Sequence, residues 1–246
     1  KTIGMDNLFL NSITIISGTI LLIAILAVLT SPFLKKLKIR KTADTCQQNV
    51  VLPQISIVIY AHEQATALLE QAYSSYYQVI VVTDKDQLDT EELMKQLCSK
   101  YSHLYVTSLP NSSRYMSRKK LAITLGVKAA QTEWILITEP TCRPCHTGWL
   151  TAMAKHMTDS VGFVMGYTAL SSDSPKSWQF EHAMQAYLRL SSAAHQRPWS
   201  TNSPNIALRK SMFMKNEGFR NNLQFIRGEY DFLVNEYARE TSTNIA

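Results

Sequence analysis

The sequence predicts an α/β protein, a mostly parallel open sheet flanked by helices and preceded by one transmembrane helix. Three observations carry this. The runs ISIVIY (55–60), QVIVV (78–82) and WILIT (134–138) are rich in β-branched residues and have almost no polar face, as expected of strands buried on both sides. Segments of helical character alternate with them, which is the order of right-handed βαβ units. Finally, residues 7–34 contain no charge, and 13–29 are apolar apart from Thr14, Ser17, Gly18 and Thr19, long enough for the roughly 20 residues that cross hydrocarbon.

Taken in order, the apolar segment reads as an uncleaved anchor rather than a signal peptide, because its basic cluster follows the apolar run instead of preceding it. That cluster is Lys35, Lys36, Lys38, Arg40 and Lys41. By the positive-inside rule it holds everything C-terminal to it in the cytoplasm, giving a single-pass inner-membrane protein. Residues 1–41 form the anchor and its flank, 42–52 a polar linker, and 53–246 a globular domain. In that domain the strand at 55–60 is followed by a helix over 63–76 and a strand at 78–82. A helix over 88–100 comes next, with Asp89 and Glu92 spaced as a capping box. A strand over 103–109, a helix over 117–131 capped by Ser117, and the strand at 134–138 complete the βα alternation. Beyond it, 148–157 reads as helical, 162–170 as extended, and 178–194 as a helix with Phe180, Met184, Tyr187 and Leu188 on one face. Residues 205–208 are a short apolar piece, and 229–239 a closing helix.

At 246 residues and 46% hydrophobic, the chain is long enough for one substantial core. Its net charge of +6 at first invites a nucleic-acid partner. The cluster after the apolar run supplies five positive charges by itself, so the domain is nearly neutral and has no distributed basic face; nucleic acid is excluded as a partner. Four cysteines are too few and too irregular for a disulfide framework and fit a reducing compartment.

No GxGxxG follows a strand and no GxxxxGK[ST] occurs, so neither glycine-rich route to phosphate binding is available. A nucleotide must be held otherwise: one carboxylate after a strand can accept from base or ribose, and another can hold a divalent cation. Asp84, just after Val81-Val82, is placed for the first role, and a turn-capping Asp fits the position equally. In open α/β sheets ligands bind beyond the carboxyl ends of the strands, so the loop Glu139-Pro140-Thr141-Cys142 is aimed at a site. Cys142-Arg143-Pro144-Cys145-His146 matches the CxxCH pattern of c-type haem attachment, but the charge rule puts this loop on the wrong side of a membrane for it. Zinc would need two further ligands where His146 offers one. His62-Glu63 lacks the second histidine of HExxH.

Several segments together, ISIVIYAHE, VVTD (81–84), RKKLAITLG (118–126), WILITEPTCRP, NIALRK (205–210) and GEYDFLVNE (228–236), resemble the family 2 glycosyltransferases over residues 53–239. These are membrane-associated enzymes with the nucleotide-diphospho-sugar transferase type of fold. The resemblance implies transfer of a sugar, with inversion, from a nucleotide-diphosphate donor to a saccharide or lipid-linked acceptor. It implies that Asp84 contacts the uridine of the donor and that Lys119 lies near the nucleotide, with Thr124 where the family usually has Asn. Glu139-Pro140-Thr141 stands where an Asp-x-Asp motif binds donor sugar and a divalent metal (Mg²⁺ or Mn²⁺), giving Glu139 and Thr141 as the metal candidates. Glu229-Tyr230 stands where a Glu-Asp pair supplies the general base. The resemblance also implies further elements beyond Ala246.

Two departures bear on the chemistry. Thr141 offers a neutral hydroxyl where a hard cation expects carboxylate oxygen. Tyr230, with an ordinary pKa near 10, is a poor base at neutral pH. Glu229 and Asp231 are the remaining catalytic candidates, although one step along a helix turns a side chain through roughly 100°. Two functional expectations follow: a membrane-anchored glycosyltransferase, or an inactive relative serving as a binding or scaffold subunit at the membrane.

Overall fold

The computed structural model describes residues 2–31, 51–61, 65–84, 88–110, 116–201 and 203–246, with the side chains of 2–13 and 88–91 outside the description. The chain divides into two compact units, Lys1–Leu37 and Lys38–Ala246. The first contains helix α1, Thr2–Thr30. Its side chains from 14 to 30 are all exposed, among them Ile15, Ile20, Leu21 and Ile23. Among the described residues no helix is long and apolar enough to cross a membrane. The basic run from Lys35 to Lys41, on which the expected orientation rests, lies outside the described residues, as does His62-Glu63.

The second unit is built on one seven-stranded sheet in the order β3-β2-β1-β4-β6-β5-β7. Strands β1 (Ile55–Tyr60), β2 (Tyr77–Asp84), β3 (Leu104–Leu109) and β4 (Trp134–Thr138) are mutually parallel. Strand β6 (Ile206–Arg209) runs antiparallel to β4 and to β5 (Phe163–Met165), and β7 (Thr243–Ile245) closes the far edge parallel to β5. The sheet is therefore mixed on one side and parallel on the other, where the site lies.

The apolar runs behave as expected of strands covered on both faces: every residue of β4 is buried, and so is every residue of β1 except Tyr60 at its end. Helix α4 (Arg118–Ala129) lies against β1, and Gly126 permits the approach, since a Cβ there would stand 2.3 Å from Val58 Cγ1. At the opposite ends of the strands, buried Ser56 bonds Thr132 Oγ1 at 2.8 Å and Gln78 Oε1 at 3.2 Å, so these three polar side chains satisfy one another.

Helices α2 (Ala65–Leu69), α3 (Leu88–Lys100), α5 (Trp149–Ala154), α6 (Lys176–Ala194), α7 (Lys210–Lys215) and α8 (Glu229–Leu233) complete the unit, α8 running into a π turn at Val234–Ala238. Several differ from expectation. The helix expected over 63–76 is confined, among the described residues, to Ala65–Leu69. Helix α3 begins at Leu88, one residue ahead of the Asp89 expected to cap it. On α6 the expected apolar face is not the buried one: Phe180 is 69% exposed, whereas Ala186, Leu190 and Ala193 are buried. This face packs toward β7, and the Gln196 amide just beyond it donates to Thr243 O at 2.7 Å and accepts from Thr243 N–H at 2.9 Å. Strand β7 itself had no sequence signal, being three residues long and held by this partner.

Candidate functional site

The carboxyl ends of β1, β2 and β4 meet the N-terminus of α4 and the start of α8. Parallel pairing sets Ile59 beside Val81 on one side and Thr138 on the other, so Tyr60, Asp84 and Glu139 emerge at one edge. Just past β1, Ala61 holds φ at +85° while its N–H donates to Val82 O at 2.9 Å, a backbone conformation that L side chains rarely adopt. Helix α4 opens cleanly: the Ser117 hydroxyl accepts from Lys120 N–H at 3.3 Å, as its cap position predicts. Arg118 and Lys119 thereby face the strand ends from the first turn.

Two ion pairs result. Arg118 pairs with Asp84, whose other oxygen accepts from the Tyr60 hydroxyl at 2.7 Å. Lys119 pairs with Glu139, and its ammonium lies 4.6 Å from the centre of the Tyr230 ring. The Thr141 hydroxyl reaches the second Glu139 oxygen at 3.4 Å. Around these groups is a cavity of about 270 Å³, lined by Val58, Tyr60, Lys119, Ile137, Glu139 and Tyr230 among others.

The phenol of Tyr230 is held well above its ordinary pKa, first by burial and then by the Glu139 carboxylate facing it. It is a protonated donor, not a base. The three consecutive residues of α8 point three ways. Glu229 is buried and accepts from the Ser117 hydroxyl at 3.2 Å. Tyr230 lines the cavity. Asp231 accepts from the Ser200 hydroxyl at 2.7 Å and from Thr201 N–H at 3.2 Å. The structure thus brings together Lys119, Glu139, Thr141 and Tyr230, sets Asp84 beside them through Tyr60, and leaves Glu229 and Asp231 on other partners.

One residue went unnoticed in the sequence. Lys120 is wholly buried, and its ammonium donates to Asn222 O and Asn222 Oδ1, both at 2.6 Å, and to Phe225 O. It ties the first turn of α4 to the segment that leads into Gly228 and α8. A signal existed: Lys120, Ile123 and Val127 recur at helical spacing, so the second lysine of RKK falls on the inward face.

The donor set does not fit a divalent cation. Glu139 is the one carboxylate on its loop, and it is engaged by Lys119 and faces a phenol; Thr141 is neutral. Among the described residues no group of three His, Cys, Asp or Glu is placed to hold a metal ion. The CxxCH run fares alike. Cys142 and Cys145 are free thiols, burial raises the Cys142 pKa, and His146 Nδ1 accepts from Gly148 N–H at 3.0 Å, ordering the start of α5. Flanking this loop is a second cavity of about 280 Å³ lined by Thr141, Cys142, Tyr167, Thr168 and Asn205, in which the buried Asn205 Oδ1 has no hydrogen-bond partner.

No family model matches the chain, and no curated protein matches it. Solved structures do. A mannosyltransferase from Pyrobaculum calidifontis, solved in complex with GDP-Man and Mn²⁺, superimposes with a TM-score of 0.59 at 16% identity, covering 79% of this chain and 55% of that one. TarS of S. aureus, residues 1–349, gives 0.57 at 15% identity, covering 78% of this chain and 58% of that one. The chain thus spans between half and three-fifths of the length of either protein. At such identity the likeness is one of fold alone: this chain shares its architecture with that mannosyltransferase and with TarS.

Proposed function

We propose that the chain binds a nucleotide-diphosphate sugar and serves as a membrane-anchored glycosyltransferase acting on a saccharide or lipid-linked acceptor. The observation that carries this reading is the cavity at the ends of β1 and β4, with the Lys119–Glu139 pair in its lining and the Arg118–Asp84 pair beside it through Tyr60. Carboxylates there suit base and ribose hydroxyls, and the two cations suit a diphosphate. The mannosyltransferase of the same fold was solved with a nucleotide sugar, which supports the same ligand class here.

In this reading an acceptor hydroxyl attacks the anomeric carbon in line, the nucleoside diphosphate departs, and the anomeric centre inverts. Glu229 and Asp231 are the carboxylates of α8 available to take the acceptor proton, each after leaving its present partner. The second cavity, with Tyr167 on its wall and the unpaired Asn205 carbonyl oxygen, offers a surface for the acceptor. The apolar, exposed α1 followed by the basic run supports an anchor in the inner membrane with the domain in the cytoplasm.

A second reading keeps the binding and drops the chemistry. Tyr230 in the position where the family resemblance expects a base, held protonated, favours a non-catalytic binding subunit. Titration calorimetry with UDP and GDP tests the shared part: Asp84→Ala is expected to abolish or sharply weaken binding, and unchanged affinity refutes the site. Transfer or hydrolysis of a nucleotide sugar by the purified chain removes the second reading.

A further inference from the structure

Resting on the nucleotide-diphosphate reading above, we infer that Lys119 is the resident counter-ion of this site, so that the chain takes its diphosphate without a divalent metal. Three features of the geometry converge on it. Glu139, the carboxylate at the end of β4 where a cation would be sought, is already paired with the Lys119 ammonium. Its second oxygen is approached by the Thr141 hydroxyl and not by another carboxylate. The Tyr230 ring lies under the same ammonium at 4.6 Å, presenting the negative face of its π system, and so helps hold the charge at the mouth of the cavity.

A divalent ion entering here would have to displace an ammonium from the carboxylate and then find its remaining oxygens from a neutral hydroxyl and water. Its repulsion from the displaced ammonium would oppose it further. A diphosphate meets no such conflict. Arg118 and Lys119 stand on one helical turn, each paired with a carboxylate, and each has further N–H donors that can reach a phosphate oxygen while the carboxylate keeps its own. The first turn of α4 contributes in the same direction, since the positive end of the helix faces the strand ends. Lys119 thus substitutes a fixed charge on the chain for a dissociable one, and Thr141 and Tyr230, each a defect in a metal site, are what such a site needs: neither adds a negative charge that would call a second cation in.

The test is calorimetric titration of the full chain with UDP and with GDP, each in EDTA and in Mn²⁺. The expected result is one affinity in both buffers, within about twofold, for whichever nucleotide binds. Lys119→Gln should weaken that binding by about 10- to 100-fold in EDTA, the worth of a charge-assisted bond to phosphate. Tightening of wild-type binding by about tenfold or more on adding Mn²⁺ overturns the inference while leaving the nucleotide reading intact. Failure of both nucleotides in both buffers overturns the nucleotide reading and this inference with it. Electron paramagnetic resonance of Mn²⁺ supplies an arm that needs no nucleotide: the free-ion signal is expected to survive addition of the protein, and its attenuation overturns the inference.

Discussion

Replacing Lys120 by methionine tests how the site is assembled. The side chain is 0% exposed, and methionine matches its unbranched stem, so packing is retained and the loss is confined to the ammonium. Its bonds to Asn222 O, Asn222 Oδ1 and Phe225 O disappear together. A hydrogen bond to a charged group contributes about 1.5–3 kcal/mol, but two terms reduce the sum. Asn222 is half-buried and Phe225 exposed, so water partly replaces the donor, and the variant no longer bears the desolvation of a buried ammonium, whose pKa burial lowers. We therefore expect Lys120→Met to cost about 3 kcal/mol, a drop of roughly 6–12 °C in Tm for a domain of this size. Urea unfolding followed by circular dichroism measures it. A change under about 0.5 kcal/mol would show that the ammonium does not organise the 220–228 segment. The pH dependence gives a second reading: because the folded pKa is depressed, the unfolded chain holds the proton to higher pH. The contribution of this group therefore grows as pH rises through the folded value and levels off above the ordinary 10.5, a slope the methionine variant lacks.

Gly126→Ala drives a Cβ to 2.3 Å from Val58 Cγ1 and is expected to cost about 2 kcal/mol by urea titration, where an exposed helical glycine would gain from the same change. His156 has a pKa lowered by burial and by Lys155, and its Nδ1 is buried without a partner, so below pH 6.5 the unfolded chain takes up a proton that the folded chain resists. Its stabilising contribution is present above 6.5 and lost as pH falls, with a slope of at most about 1.4 kcal/mol per pH unit; urea midpoints across that range should show the slope in wild type and not in His156→Gln. Tyr230→Asp restores a carboxylate where the phenol is held protonated, and sugar transfer is expected to rise by about 100-fold, with an alkaline-shifted profile because Glu139 and Glu229 are near. An unchanged rate in a properly folded variant would show that a carboxylate at 230 adds nothing to Glu229 and Asp231 as acceptors of that proton.

How much of this was legible in the sequence depended on how local each cause is. Strands β1 and β4 and the start of α4 were read to within a residue, because burial on both faces writes a continuous β-branched run and a serine cap writes itself three residues ahead of the N–H it accepts from. The buried face of α6 and the existence of β7 were not legible. Each is decided by the other, through Gln196 and Thr243, which lie 47 residues apart. The site divides the same way. Its position followed from strand order, since Asp84 and Glu139 had to emerge at the carboxyl ends of parallel strands. Its chemistry rests on pairings that no motif states: Lys119 with Glu139 across 20 residues, and Tyr230 brought over that pair from the far end of the chain. Sequence reasoning treated Thr141 and Tyr230 as two separate losses from a metal-dependent enzyme. In the fold they flank the same carboxylate, and the lysine expected merely near the nucleotide sits between them. Once the three are seen as one cluster, neither departure requires the other functions of the site to be lost, because a site that carries its own cation needs neither the second acid of a metal motif nor a carboxylate at position 230 to stay electrically balanced.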